Sequence, residues 1–217
     1  MIEFKAWPKT PRLNRDCIVT EKIDGTNAAV IILDPIEVED GHNVGAGETT
    51  PDGTGIAVWN EKLERMQIVA AQSRKRVIWP GKTTDNAGFA MWVWTNAQAL
   101  AETLGEGYHY GEWYGTAIQG NPYALEEKRF SLFNVVRYAE FDLENVPGLG
   151  VVPVLYEGPF DQAWINNNLI PRLRVRGSVV SPGRKAEGVI VFHKAAGHVY
   201  KVLCENDELP KGVAENG

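Results

Sequence analysis

The chain has little of what marks several large function classes. It carries only two cysteines, Cys17 and Cys204, far apart and with no Cys-x-x-Cys pair. That excludes a cysteine zinc site or a disulfide framework, and leaves two buried thiols in a reducing compartment as the expectation. The four histidines, His42, His109, His193 and His198, show no metal-ligand spacing; His109 and His193 are read as structural. No apolar run reaches the length of a membrane span, and MIEFKAWPKT lacks the apolar stretch of a signal peptide. A cytoplasmic protein without a membrane partner is expected. Positive charge is not in excess: 22 Lys and Arg against 28 Asp and Glu give a net charge of −6. A generally basic nucleic-acid coat is excluded, although a local basic groove is not. There is no Gly-x-Ser-x-Gly elbow. Gly81-Lys82-Thr83-Thr84 mimics half a phosphate-binding loop, but the glycine it requires falls on Arg76. No repeat, low-complexity tract or convincing linker divides the sequence.

What remains is ordinary globular material: 217 residues, 44% hydrophobic, 23% charged, with seven each of Trp, Tyr and Phe. Such a chain can bury a core without staples. Strands are expected over Cys17–Ile23 and Asn27–Leu33, joined as a hairpin through Asp24-Gly25-Thr26. Glu39–Gly55 is Gly-rich and polar and reads as a mobile loop. Further strands are expected at Gln67–Gln72, Arg76–Trp79, His109–Tyr114, Phe130–Val136, Val151–Leu155, Gly188–His193 and Val199–Cys204. The spacing predicts one helix over Asp85–Leu104. Asp85 would cap it, Gly105 would end it, and Phe89, Trp92, Val93, Leu100 and Leu104 would form its apolar face. Trp92 is a better core candidate than Trp94. A short helix is expected over Asp161–Leu169, before Pro171.

Chemistry concentrates in Glu21-Lys22-Ile23-Asp24-Gly25-Thr26-Asn27. A lone lysine between strands is ordinarily solvated and idle. Here it is followed, in order, by Ser73-Arg74, Gly111-Glu112-Trp113, Phe133, Glu187-Gly188-Val189 and Lys201. Taken singly, Phe133 would be core, and Arg74, Glu112 and Glu187 would be solvated charges. Taken in this order, the pieces resemble the covalent nucleotidyltransferases: ATP-dependent DNA and RNA ligases and mRNA capping enzymes. Within them the sequence is most similar to the RNA ligase 2 family, because Lys22-Ile23-Asp24-Gly25 matches the nucleophile motif Lys-x-Asp/His-Gly and Asn27 stands five residues after the lysine.

The resemblance implies an α+β fold, the ATP-grasp-like nucleotidyltransferase ligase domain with antiparallel sheets around an ATP cleft. It would occupy residues 1–217 as a single domain without an appended C-terminal one. It implies an RNA ligase that joins 3′-OH and 5′-phosphate ends, using ATP and Mg²⁺ or Mn²⁺. Lys22 would carry AMP as a phosphoramidate. A free lysine of pKa ~10.4 is only about 0.04% neutral at pH 7, so the site must favour the amine. Glu187 and Glu112 would hold the metal largely through water, and Glu112 would also bind the ribose hydroxyls. Phe133 would stack on adenine, Arg74 would reach the ribose and the substrate end, and Lys201 would contact the AMP phosphate. The backbone of Glu21 would face the purine edge. Asp24 and Asn27 would orient the RNA ends after adenylylation.

One departure is specific. The family's last motif usually holds two lysines one residue apart, whereas Val199-Tyr200-Lys201-Val202-Leu203 holds one. Either Lys201 carries the phosphate contact alone, or another cation, Lys194 or Lys211, substitutes. The acid-free segment Arg172–Lys185 either tracks a phosphate backbone or is a solvated strand face on which Arg172, Arg174 and Arg176 alternate. A minimal DNA ligase, a capping guanylyltransferase and a non-catalytic nucleotide- or RNA-end-binding module are the alternatives. An accessory protein is a further possible partner.

Overall fold

A computed structural model describes residues 1–39 and 43–208. His42 and Lys211 lie outside the described residues. The chain divides into two compact units, residues 1–22 with 153–217 and residues 23–152. Among the described residues no helix is long and apolar enough to cross a membrane.

The first unit is built on a four-stranded antiparallel sheet. Its strands are β1 (Asp16–Lys22), β9 (Val154–Pro159), β10 (Gly188–His193) and β11 (His198–Leu203), in the order β11-β10-β1-β9. One face buries Cys17, Val19, Val189 and Val191 against Ile165, Leu169, Ile170 and Leu173 of a helical segment. That segment runs through α3 (Gln162–Trp164), a π-turn at Ile165–Leu169 and α4 (Ile170–Arg176). Asp161 caps it by accepting from Trp164 N. The expected helix therefore continues past Pro171. The wider turn ahead of the proline relieves its clash with the preceding carbonyls and absorbs its missing donor.

The second unit holds a seven-stranded sheet. β2 (Thr26–Leu33) lies between β4 (Arg65–Ser73) and β6 (Gly107–Gly115). β3 (Gly55–Asn60) and β5 (Val77–Ile78) pair with β4, and β7 (Lys128–Leu132) pairs with β6. β8 (Leu149–Val151) pairs with β7 in parallel, against the expectation of wholly antiparallel sheets. Ala28, Val30, Ile32, Val69, Ala71, Trp113, Phe130 and Leu132 point to one face and meet α1 (Phe89–Thr95) and α2 (Ala97–Leu104). Phe89, Trp92, Trp113 and Phe130 form the aromatic centre, with ring centroids 4.9–5.7 Å apart.

Several expectations change. β1 and β2 form no hairpin: each is a paired strand of a different sheet. Their runs Cys17–Glu21 and Ala28–Ile32 are buried without alternation, the pattern of strands covered on both faces. The single helix over Asp85–Leu104 is two helices that break at Asn96. Its side-chain amide donates to Trp92 O at 2.8 Å, competing with the helical ladder. Asp85 does cap the first turn, accepting from Ala90 N and Met91 N at 2.8 and 3.1 Å. The strand expected over Val151–Leu155 is split at Pro153 between β8 and β9, and the Pro153 carbonyl accepts from Glu21 N at 2.9 Å. Arg172, Arg174 and Arg176 lie on helix α4 rather than on a strand face. Burial pushes both thiols, Cys17 and Cys204, up from their ordinary pKa, as inert structural cysteines require.

Candidate active site

In the first unit, strand alternation sorts the residues. Val19 and Glu21 face the core, so Thr20 and Lys22 face the other way. β10 registers Glu21 with Val189 and Lys22 with Gly188, while β11 registers Lys201 with Ile190. Lys22 and Lys201 therefore share the sheet face opposite the apolar core. At the end of that face the Lys22 ammonium forms an ion pair with the Glu187 carboxylate, with side chains 24% and 31% exposed.

Two backbone devices seat Glu187. Cys204 N donates to Glu187 O at 2.9 Å, and Arg174 Nε donates to Cys204 O at 2.6 Å. Arg174 is thus committed to the protein, although it is exposed like Arg172, Arg176 and Arg184. Gly188 lies so close to Val202 of β11 that a Cβ there would collide with its carbonyl oxygen. The glycine after Glu187 is what lets the three strands close together beside the carboxylate.

Glu21 points away from Lys22. Its side chain is 1% exposed, and its Oε2 accepts from Val179 N at 2.7 Å. Burial raises its pKa, against the lowering effect of hydrogen bonds from Ser178, Val179 and Val180. The side chain fastens the turn after α4; only the backbone remains for the purine edge. Lys194 does not stand in for the missing lysine. It pairs with Glu157 at 2.6 Å and sits beyond the far end of β10, roughly 20 Å along the strand from Gly188 at ~3.3 Å per residue.

In the second unit, Asn27 pairs in register with Glu112, and Glu112 with Ser131. All three lie on the face opposite the aromatic core. Phe133 follows at the end of β7, its N–H donating to Tyr110 O at 3.0 Å. It is 40% exposed, unlike Phe130 at 0%. The ring expected to be core when read singly is therefore open to a ligand. Arg74 is exposed at the tip of the β4–β5 turn, beside Ser73, which registers with Ala28.

Gly25 lies so close to β6 that an added Cβ would stand 2.5 Å from Trp113 O and 3.0 Å from Glu112 Cγ. The glycine of Lys-x-Asp-Gly brings the backbone against the strand that carries Glu112. Tyr123 Oη accepts from Asp24 N at 2.7 Å, and Gln119 Nε2 donates to Gly25 O at 3.3 Å. Both come from a turn in which Ala117, Gln119, Asn121 and Ala124 adopt positive φ, a strained backbone for residues with side chains. Sequence reasoning missed Tyr123 and Gln119. Their one local signal is the Gln119-Gly120-Asn121-Pro122 run, which marks a turn without naming its partner.

Among the described residues no group of three His, Cys, Asp or Glu side chains comes together as a metal cage. The Glu187 carboxylate is the donor type that suits a hard divalent ion held otherwise by water and phosphate oxygens, as Mg²⁺ and Mn²⁺ are.

The sequence model of the RNA ligase family matches residues 15–203. No curated protein matches the chain. Among solved structures, the RNA ligase of Naegleria gruberi is similar in fold. A mutant of it with ATP and Mn gives a TM-score of 0.52 at 15% identity, over 88% of this chain and 50% of that one. The same ligase with PPi gives 0.51 at 14% identity over the same shares. This chain spans about half the length of those proteins. With the match covering most of its length and the mixed α+β architecture shared, the chain belongs to the RNA ligase family.

Proposed function

We propose that the chain is an ATP-dependent RNA ligase that joins 3′-OH and 5′-phosphate ends through a lysyl-N–AMP intermediate. The observation that carries this reading is the pairing of Lys22 with Glu187 on a face shared with Lys201. Family membership supports it, as do the related structures described with ATP and Mn. Residues 1–217 serve in it as one adenylylating domain.

In the first step the Lys22 amine attacks the α-phosphorus of ATP. An N–P bond forms, the bond to the bridging oxygen breaks, and pyrophosphate leaves. The amine must be neutral, so the ammonium gives up a proton, to water or to the Glu187 carboxylate that faces it, and the ion pair is lost. Lys201 faces the charge that develops on the α-phosphate. Phe133 stacks on the adenine, Glu112 takes the ribose hydroxyls, and Arg74 reaches the ribose. The Glu21 backbone faces the purine edge.

Glu187, with Glu112 as the second carboxylate, would hold Mg²⁺ or Mn²⁺, which when bound offsets the charge of the phosphates. In the second step AMP passes to the RNA 5′-phosphate and Lys22 is released. In the third a 3′-OH attacks that phosphate and AMP leaves. Asp24 and Asn27 orient the ends. The exposed Arg172, Arg176 and Arg184 track the RNA backbone.

Nicked duplexes with ribose or deoxyribose at the 3′ end test the reading. Sealing that requires the terminal 2′-OH supports an RNA ligase; equal sealing of all-DNA nicks contradicts it.

A further inference from the structure

We infer that Tyr108 and Tyr110 form a base-stacking platform for single-stranded RNA on the open face of the seven-stranded sheet. The inference rests on the ligase reading for its RNA, and on geometry for its place.

Along β6 the odd positions His109 and Trp113 are buried with the core, while Tyr108, Tyr110 and Glu112 share the opposite face. An outward face of an antiparallel sheet is ordinarily polar. Here two tyrosines stand on it 45% and 48% exposed. Their rings are nearly parallel, 18° between planes and 6.2 Å between centroids. Among the described residues neither side chain has a hydrogen-bond partner, so the hydroxyls do not explain their place. They register on β2 with Ile31 and Ala29, which are buried, so the exposed part of this face is the tyrosine rings themselves.

The pair continues the candidate nucleotide site. Glu112 is next along the same face, and Phe133 is joined to Tyr110 by its backbone bond. Phe133 lies beside Tyr110 on the neighbouring strand, and Tyr108 lies beyond Tyr110 on the side away from Glu112. At the outer end Arg137 donates to Tyr108 O and Glu106 O at 3.5 and 3.4 Å, with its guanidinium over the Tyr138 ring, 5.4 Å from the centroid. Open aromatic faces bind single strands irrespective of sequence, because every base has a π-face. The RNA next to the end being joined is the occupant this arrangement suits.

The test is equilibrium binding of a 5′-phosphorylated single-stranded RNA oligonucleotide to the full chain, by fluorescence anisotropy across a salt series. Tyr108→Ala and Tyr110→Ala are each expected to weaken binding about five- to hundredfold. The slope of log affinity against log salt should not change, because no phosphate contact is lost. Tyr108→Phe and Tyr110→Phe should restore wild-type affinity. Wild-type affinity in a Tyr108→Ala protein that melts normally overturns the platform. So does failure of Tyr108→Phe to rescue, which would mean that the hydroxyl and not the ring acts. Tyr108→Ala alone carries the test if Tyr110→Ala does not fold. RNA binding that depends on the tyrosines in a protein that never labels Lys22 leaves the platform standing and overturns the ligase reading. Labelling of Lys22 without tyrosine-dependent RNA binding does the reverse.

Discussion

Lys22 and Glu187 stand 165 residues apart in sequence and meet as an ion pair because β1 and β10 run antiparallel in register, Lys22 opposite Gly188. The pair joins the first and the fifth of the ordered sequence pieces, and it sits on the face of the sheet that the apolar core does not use. An amine held this way is placed for chemistry but not yet nucleophilic. The separation of placing from activating makes the role of each partner testable.

Lys22→Arg keeps a positive charge beside Glu187 but cannot supply a neutral amine. It should abolish labelling by α-labelled ATP. Both side chains are partly exposed, so the pair contributes at most ~1 kcal/mol to folding. Thermal melting of Lys22→Arg should therefore lie within a few degrees of wild type. Surviving labelling at an unchanged rate would move the nucleophile elsewhere.

Glu187→Gln keeps the shape and removes the charge that pairs with Lys22 and that the proposed metal would use. Lysine adenylylation should slow by at least about a hundredfold, or ~2.7 kcal/mol in the barrier. The Mg²⁺ concentration needed for half-maximal rate should rise. Single-turnover labelling at varied Mg²⁺ reads both quantities, and an unchanged metal dependence would remove Glu187 from the metal site.

Phe133 and Phe130 separate binding from packing. Phe133→Ala should raise the KM for ATP about five- to hundredfold with little change in melting, since the ring is 40% exposed. Phe133→Tyr should behave as wild type. Phe130→Ala, in the closed aromatic centre, should cost ~3–5 kcal/mol of stability. A melting loss in Phe133→Ala as large as that of Phe130→Ala would make Phe133 a core residue after all.

His109 sets an acid limit on the fold. It is fully buried between Tyr138 Oη and Gly105 O, both at 2.9 Å, as the neutral imidazole that donates to the carbonyl and accepts from the hydroxyl. Burial lowers its pKa from 6.5 to about 4. The unfolded chain therefore binds a proton first as pH falls. The stability is fully present above pH 6.5 and is lost progressively from there down to about pH 4, reaching ~3 kcal/mol. Chemical denaturation between pH 7 and pH 4 should show this slope in the wild type. His109→Gln should flatten it, and an equal slope in both would exclude His109 as the cause.

The candidate residues stood out in the sequence because they are short, local and chemically distinct pieces, and within each unit the structure pairs Lys22 with Glu187 and registers Asn27 with Glu112. The sheet connectivity was less legible. Asp24-Gly25-Thr26 reads as a hairpin turn, and only the strands that arrive later, β4 and β6 on one side and β9 and β10 on the other, take β1 and β2 into separate sheets. The parity of Arg172, Arg174 and Arg176 fits a strand equally well; what decides for a helix is the i, i+4 spacing of Ile165, Leu169 and Leu173, all buried in one cluster. Tyr123 was invisible because its partner Asp24 lies 99 residues away. Glu21 shows the converse. Its neighbour made it a site residue, but its side chain belongs to the core face.

The central claim is that Lys22 takes AMP from ATP. Intact mass and peptide mapping after incubation with α-labelled ATP and Mg²⁺ test it most directly. The account predicts one added AMP per chain, acid-labile and mapped to Lys22. Chain of unmodified mass before and after incubation, or label mapped to another residue, would contradict it.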